Sequence, residues 1–469
     1  MFEPELMRRT GNIVLFSILT FTVQAQFVHI DSILYEGNVK TQKYIIRREL
    51  SFVENDSVPL QYLQTILLEN RSRILNTGLF KEAEINVKYW DTQTNRISLL
   101  IKVQEAWYIY PVPVFDLADR NFNVWWNEFN GSLKRVNYGM KFTHNNLTGQ
   151  QDALKITFQL GYSPRLNLDY SWPFFGKQRS WRFKTEFLYT QNKESYYKTE
   201  YDKLVFFRTE TNYALQRLRM VTSLEHRTTL QLFQSISLEY NYNKTADQIR
   251  NELNPDFFLG NKGRQDFFSL RYRFTYDNRD LKYYPSRGVS AEFVINKEGL
   301  ANEADLNTLT ASIQMDQYFP WSSRHNAGVQ LKARGSIIRD KIPYYNSKAL
   351  GFGENYIKGY EYYVLDGMDY LFLKFRERFI VYDGKFNFRS NKKLGVRAMP
   401  VKLSTSVHAS TAYVNNIYYT VNNQLTNRWL YSTGISLECL MANTSLVQLD
   451  CSINHRKELG IYLHFRDQF

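Results

Sequence analysis

The sequence predicts a transmembrane antiparallel β-barrel of about sixteen strands, preceded by one small α/β domain. Three observations lead there. The composition is aromatic-rich yet polar: aromatics make up 16% of the chain, with 34 Tyr and 33 Phe, while the mean hydropathy is −0.45. From Glu105 to Phe469, 365 residues alternate apolar and polar side chains with period two. Ahead of them, residues 26–104 read as a compact β-α-α-β-β unit. A barrel with an apolar outer belt, aromatic girdles and a polar lumen accounts for all three.

The net charge is +13, from 59 Lys and Arg against 46 Asp and Glu. This excess is spread along alternating segments and forms no patch or tail, so nucleic acid is not an expected partner. Residues 1–25 have the form of a secretory signal. Arg8 and Arg9 precede the apolar run Ile13–Val23, and Val23-Gln24-Ala25 offers small residues at a cleavage site. Past residue 25 no apolar run approaches the roughly eighteen residues that a spanning helix needs.

In the α/β unit, Phe27–Tyr35 alternates as a strand and Glu36-Gly37-Asn38 is a turn. Thr41 is placed as N-cap of a helix reaching Leu50. Pro59 opens a second helix with Leu60, Leu63, Leu67 and Ile74 on one face, and Gly78 ends it. Lys81–Tyr89 and Arg96–Val103 complete the unit as strands.

In the barrel segment the clearest alternation is Thr308–Phe319, where Leu309, Ala311, Ile313 and Met315 share a face. In Phe267–Asp277, Phe268, Leu270, Tyr272, Phe274 and Tyr276 do the same, interleaved with Ser269, Arg271 and Arg273. The pattern gives strand cores at 108–116, 134–145, 152–162, 165–173, 180–190, 217–228, 231–243, 265–277, 287–297, 306–318, 325–338, 370–380, 401–413, 428–440, 446–455 and 459–469. Lys203–Phe207 either extends a strand or belongs to a long outer loop. Pro111 and Pro113 lie in the first of these strands. Each lacks an N–H, which suits an edge, and in a barrel that edge is the junction with the last strand. We therefore expect a weakly paired seam there, with terminal Phe469 on the other side.

The connection 339–369 is too long and too aromatic for a solvated loop. Tyr344, Tyr345, Phe352, Tyr356, Tyr360, Tyr362 and Tyr363 alternate with Gly351, Gly353 and Gly359. Ordered loops of this length are usually functional, and we read this one as folded back into the lumen.

Several segments carry a resemblance. Tyr35-Glu36-Gly37-Asn38, Arg47-Arg48-Glu49-Leu50, Asn76-Thr77-Gly78-Leu79-Phe80 and Val103-Gln104-Glu105 resemble a POTRA domain, the periplasmic module of outer-membrane assembly factors. Tyr276-Asp277-Asn278-Arg279-Asp280, followed by Tyr284-Pro285-Ser286-Arg287-Gly288, is similar to a turn of BamA-like barrels. Ile357-Lys358-Gly359-Tyr360 is similar to that superfamily's lumen-loop motif. From residue 27 onward, the chain resembles a short BamA/TamA-like assembly factor with a single POTRA domain.

The resemblance implies outer-membrane protein insertion or protein translocation. Unfolded or exported client proteins and outer-membrane lipid would be the partners, with periplasmic or lipoprotein accessory subunits as further candidates. The POTRA domain would add a client strand at an exposed edge, either Phe27–Tyr35 or Lys81–Tyr89. The alternative function is a passive channel or substrate-specific exporter with loop 339–369 as its plug.

The chain departs from the family at the loop. The family's motif Arg is Lys358 here. Lys374 stands where a family Glu is expected, beside Arg376 and Arg378, and the family's Asp is absent around Ser410. Arg and Lys are not equivalent at a bidentate site, so a different anchor is expected. The candidates are Tyr360 packing, backbone contacts, or Asp316, Glu361, Asp366 and Asp369.

No nucleophile–base or metal-ligand spacing occurs in the sequence, so no enzymatic activity, cofactor or metal is expected. The seven histidines are dispersed, and His408 and His464 are read as polar lumen lining. Cys439 and Cys451 are read as small apolar residues facing lipid, with a cross-strand disulfide as the alternative.

Overall fold

The computed structural model describes residues 26–117, 121–177, 179–281, 284–301, 305–353, 355–387, 398–441 and 445–467. The predicted signal, 1–25, and the terminal Phe469 lie outside the described residues.

The N-terminal unit runs β1 (Phe27–Glu36), α1 (Lys43–Arg47), β2 (Ser57–Pro59), α2 (Leu60–Asn76), β3 (Phe80–Asp91) and β4 (Arg96–Glu105). Its sheet order is β2-β1-β4-β3. The inward face of α2, with Leu63, Leu67 and Ile74, meets Ile30, Ile97, Leu99 and Ile101 from the sheet in one apolar core. Gly37 has φ 88°. A Cβ there would stand 1.9 Å from the Val103 carbonyl oxygen. Asn38 Nδ2 donates to the Thr41 carbonyl at 3.0 Å, closing the turn. The Glu105 carboxylate then accepts from the Lys40 and Thr41 amides at 3.0 and 2.6 Å. Gly78, φ 72°, has open space around it and serves only as the left-handed C-terminal stop of α2. Phe80 starts β3 and is buried.

Thr41 does not cap the first helix. That helix starts at Lys43 behind Gln42. The Thr41 hydroxyl is instead shared between Tyr108 Oη at 2.7 Å and Asn146 Nδ2 at 3.0 Å, on the barrel side.

We expect Gly37→Ala to lower the melting temperature of this unit, because the backbone contact cannot be relieved by a rotamer change. The strain is on the order of 1–3 kcal/mol. Limited proteolysis should release the barrel from the unit at lower temperature than in the parent chain.

The barrel strands follow: β5 (Ile109–Leu117), β6 (Val136–Asn145), β7 (Ala153–Gly161), β8 (Arg165–Ser171), β9 (Trp181–Asn192), the off-barrel hairpin β10 (Glu194–Glu200) and β11 (Lys203–Arg208), β12 (Leu215–Arg227), β13 (Leu232–Thr245), β14 (Arg264–Asp277), β15 (Gly288–Glu298), β16 (Thr308–Pro320) and β17 (His325–Ser336). A small pair, β18 (Lys348–Leu350) and β19 (Leu365–Asp366), lies within the long loop. The last five are β20 (Asp369–Asn387), β21 (Ala398–Asn415), β22 (Trp429–Met441), β23 (Ser445–Asn454) and β24 (Leu459–Asp467).

Sixteen of these form one antiparallel sheet, with β5 and β24 at its two ends. This is the predicted fold, strand for strand. Outward apolar residues are exposed, such as Leu270, Ile313, Leu437 and Ile461, while inward Ser269, Asp316, Ser436 and Asp450 are buried. Among the described residues no helix is long and apolar enough to cross a membrane. Lys203–Phe207 belongs to the outer connection between β9 and β12, as strand β11 of the β10–β11 hairpin, which among the described residues is a separate two-stranded sheet. Cys439 lies opposite Val447 and Cys451 opposite Ile435. Both are free thiols, so the disulfide alternative is not realised.

Candidate functional site: the lumen loop and the two sheet ends

The loop motif packs against the inner wall formed by β22 and β23. Lys358 is 2% exposed. Its Nζ lies 3.0 Å from Asp450 Oδ2 and donates to Ser436 Oγ at 3.2 Å. Gly359, φ 82°, passes so close to the wall that a Cβ would meet Ser432 Cβ at 3.3 Å. Its carbonyl accepts from Asn454 Nδ2 at 2.9 Å. Tyr360 is buried, donates to the Tyr431 carbonyl at 3.1 Å and also bonds His455. Ile357 joins a core with Leu350, Leu365, Phe372, Val414, Leu425 and Leu430.

Asp450, the acid that meets Lys358, was not among the expected candidates. Asp316 accepts from Gln330 and Gln314. Asp369 pairs with Arg339 at 2.7 Å. The basic wall is balanced from the same neighbourhood. Arg378 donates to Glu438 at 2.7 Å, with Arg376 at 3.8 Å from the same carboxylate. Lys374 lies over the Tyr356 and Phe372 rings. Alternation carries a signal for both acids: Glu438 and Asp450 sit between outward Leu437 and Cys439, and between outward Leu449 and Cys451.

The outer connections close over the loop. Asp202 accepts from the Gln424 and Leu425 amides at 3.0 Å, and its own carbonyl accepts from Val364. Phe257, Phe258, Tyr344 and Tyr345 form an aromatic core there with Ala214, Leu215 and Ile249. Asp366 is buried in this cap, and burial pushes its carboxyl up to about 7 despite nearby Lys348. A carboxyl raised in this way is held protonated by the folded cap. Its contribution is therefore full below the unfolded value near 4 and is lost as pH rises through 7. Protease cleavage within 339–369 should accelerate between pH 5.5 and 8 in the parent, and Asp366→Asn should remove that dependence.

The turn motif closes the opposite mouth. Arg279 clamps Asp277 with two bonds of 2.8 Å. Asp280 accepts from the Ser286 and Leu281 amides at 3.0 and 2.9 Å. Gly288, φ 102°, leaves no room for a Cβ, which would meet Asn278 O at 2.7 Å. Pro285 is buried beside Tyr284. The Tyr284 ring carries the Arg378 guanidinium at 3.8 Å, and its hydroxyl bonds Ser404 at 2.8 Å. The turn is thereby tied to the same Arg378–Glu438 wall as the loop side.

This mouth also holds the N-terminal unit. Arg227 grips Glu49 at 2.6 and 2.7 Å. Arg48 lies over Phe174 at 4.4 Å, and burial pulls it down to about 10. A cleft of about 780 Å³ separates α2 from the turn and is lined by Arg48, Arg73, Arg182, Arg227, Arg279 and Arg287 among others.

At the sheet ends, Asn145 N donates to the Tyr108 carbonyl at 2.7 Å. The register continues without a shift through Pro111 opposite Phe142 and Pro113 opposite Met140. Main-chain groups alternate sides along a strand, so Tyr110 and Val112 face β6 while Pro111 and Pro113 face the open edge. Among the described residues no ladder joins β5 to β24. Instead a short helix, α3 (Phe122–Glu128), lies on the β24 edge. Asn123 Oδ1 accepts from Leu463 N at 3.1 Å, and its Nδ2 donates to Leu463 O at 3.4 Å. The side-chain amide takes both groups that a neighbouring strand would use. Asn121 caps α3 through Val124 N at 2.8 Å and also reaches the Glu361 carbonyl at 2.9 Å. Phe122 packs on Phe465. The period-two pattern of the barrel segment carries no signal for this helix.

Comparison with known proteins agrees with this architecture. A family model described as the Omp85 superfamily domain matches residues 146–458, and one described as POTRA, surface antigen variable number repeat, matches 28–106. The chain is similar to BamA from Haemophilus ducreyi lacking POTRA domains 1–3, at 15% identity and TM-score 0.52, covering 93% of this chain and 83% of that one. It is similar to CdiB from Escherichia coli at 8% identity and TM-score 0.51, covering 97% and 92%.

Proposed function

The chain belongs to the Omp85 superfamily, and from that premise we propose that it assists the insertion or translocation of other proteins at an outer membrane, with its POTRA domain in the periplasm. The observation that carries this reading is the pair of sheet ends. One edge presents two prolines, and the other is engaged by the Asn123 side-chain amide at Leu463. A client strand could displace Asn123 and pair with β24, adding main-chain hydrogen bonds while its apolar face enters lipid. Within the POTRA domain, β3 pairs only with β4, and β1 meets β2 only at Phe27–His29. The β1 edge is also occupied at Ile30 by Asn55 and Asp56 and at Ile33 by Glu54, which leaves β3 as the more open of the two for strand addition.

Depleting the protein in its host and quantifying outer-membrane proteins by mass spectrometry tests the reading. A broad fall in barrel proteins supports an insertase, and loss of a few secreted or surface proteins supports a dedicated exporter. Unchanged levels would sink both. The filled lumen favours one other reading, a channel plugged by 339–369. There, deleting the loop should sharply raise conductance in planar bilayers without impairing barrel assembly.

A further inference from the structure

We propose that Glu361 on the lumen loop, Asp450 on β23 and His464 on β24 form a site for a divalent transition-metal ion of the zinc class. The inference stands independently of whether the barrel inserts or exports proteins.

The three residues are all buried, and one ligand atom from each lies within 4.8 Å of the others. His464 Nε2 is 3.4 Å from Glu361 Oε1 and 3.4 Å from Asp450 Oδ2. Ligand atoms about 2.0–2.1 Å from a tetrahedral zinc are separated by about 3.4 Å, so two of the three edges already have the spacing of a coordination polyhedron. One imidazole with two carboxylates is a donor set suited to zinc and to neighbouring first-row ions.

Two further observations point to a ligand. Glu361 is 2% exposed. Its Oε1 is met by His464 Nε2 at 3.4 Å, and Asp450 Oδ2 by the Lys358 ammonium at 3.0 Å, yet Oε2 of the Glu361 carboxylate has no hydrogen-bond partner. Buried polar atoms left in this state are rare and call for an ion or water. In addition, His464 is aimed. Its ring stacks on Tyr356 at 5.0 Å, with the planes 14° apart. Its Nδ1 lies 3.3 Å from Tyr356 Oη. Donation from Nδ1–H to that hydroxyl leaves the Nε2 lone pair facing the carboxylates, the arrangement by which outer partners orient a ligating histidine.

Lys358 is the competing cation. Its ammonium lies 3.0 Å from the same Asp450 oxygen, but one ammonium neutralises only one of two buried carboxylates. A bound dication would take both and displace the lysine from Oδ2. It would then join the loop, the penultimate strand and the last strand through one centre.

The test uses untagged full-length protein in detergent, stripped with chelator and titrated with zinc chloride by calorimetry, with bound metal counted by mass spectrometry. One zinc per chain is expected, with excess magnesium failing to displace it. Glu361→Gln and His464→Gln should each weaken binding by at least about tenfold, the low end of what loss of even an outer-shell partner costs. Lys358→Met should tighten it. Heat-dependent gel mobility checks that each variant is folded. If one variant fails to fold, the other decides. No saturable binding, binding that ignores both substitutions, or binding weakened by Lys358→Met would each overturn the site.

Discussion

Glu438→Ala should lower the barrel's unfolding free energy by about 3–5 kcal/mol, the loss typical when one partner of a buried ion pair is removed. Glu438 is buried, and its carboxylate answers Arg378 at 2.7 Å, Arg376 at 3.8 Å and the hydroxyls of Ser406 and Ser404 at 2.9 and 3.3 Å. Truncation leaves two guanidiniums in a wall that also carries Lys374. Arg378 cannot turn to water, because it is 2% exposed and sandwiched against Tyr284. The double variant Arg378→Leu with Glu438→Leu should lose much less, since it removes the desolvated charge along with its partner. Denaturant midpoints followed by gel mobility distinguish the two. If the single and double variants lost the same amount, the effect would be one of packing. The turn would also report the change. Tyr284 is held by Arg378 and Ser404, so protease access to 278–287 should rise in the double variant, which removes the guanidinium from the ring, whatever its midpoint.

The strand content was legible because period-two alternation is enforced by two unlike solvents. Outside, Leu270 and Leu437 meet the membrane-side surface. Inside, Ser269 and Ser436 meet the lumen. Each of the sixteen strands carries this signal within its own residues. What failed was long-range. Thr41 has the local credentials of an N-cap, but Tyr108 and Asn146 compete for its hydroxyl, and no local rule contains them. The acid facing Lys358 is Asp450 on β23, far along the chain and outside the carboxylates expected, while the Tyr360 packing and backbone contacts also expected as anchors are present. Helix α3 is shorter than an isolated helix can sustain, so its existence depends on Leu463 and Phe465. The β10–β11 hairpin alternates as a barrel strand does, yet it turns away to roof the lumen. Tyr196 and Phe207 pack there against the outer aromatic core.

Asn123→Ala should free the outer edge of β24 and speed amide exchange at Leu463 by roughly 5- to 150-fold, corresponding to two hydrogen bonds worth about 0.5–1.5 kcal/mol each. The argument rests on geometry. Leu463 pairs with Leu449 on one side, while its N–H and C=O on the other side are taken by the Asn123 amide. Pro111 and Pro113 cannot supply replacement donors from β5, and among the described residues no ladder joins β5 to β24. Asn123→Asp should be intermediate, since it still accepts from Leu463 N but cannot donate to its carbonyl. Exchange measured on purified protein isolates the contact from any activity. In the host, the same variant should raise crosslinking between a photoreactive residue placed at Leu459 and client proteins, if clients enter by pairing with β24. Exchange that accelerates while crosslinking stays flat would leave the latch in place as a structural contact and move client entry away from this edge. Unchanged exchange would show that the amide does not hold the strand.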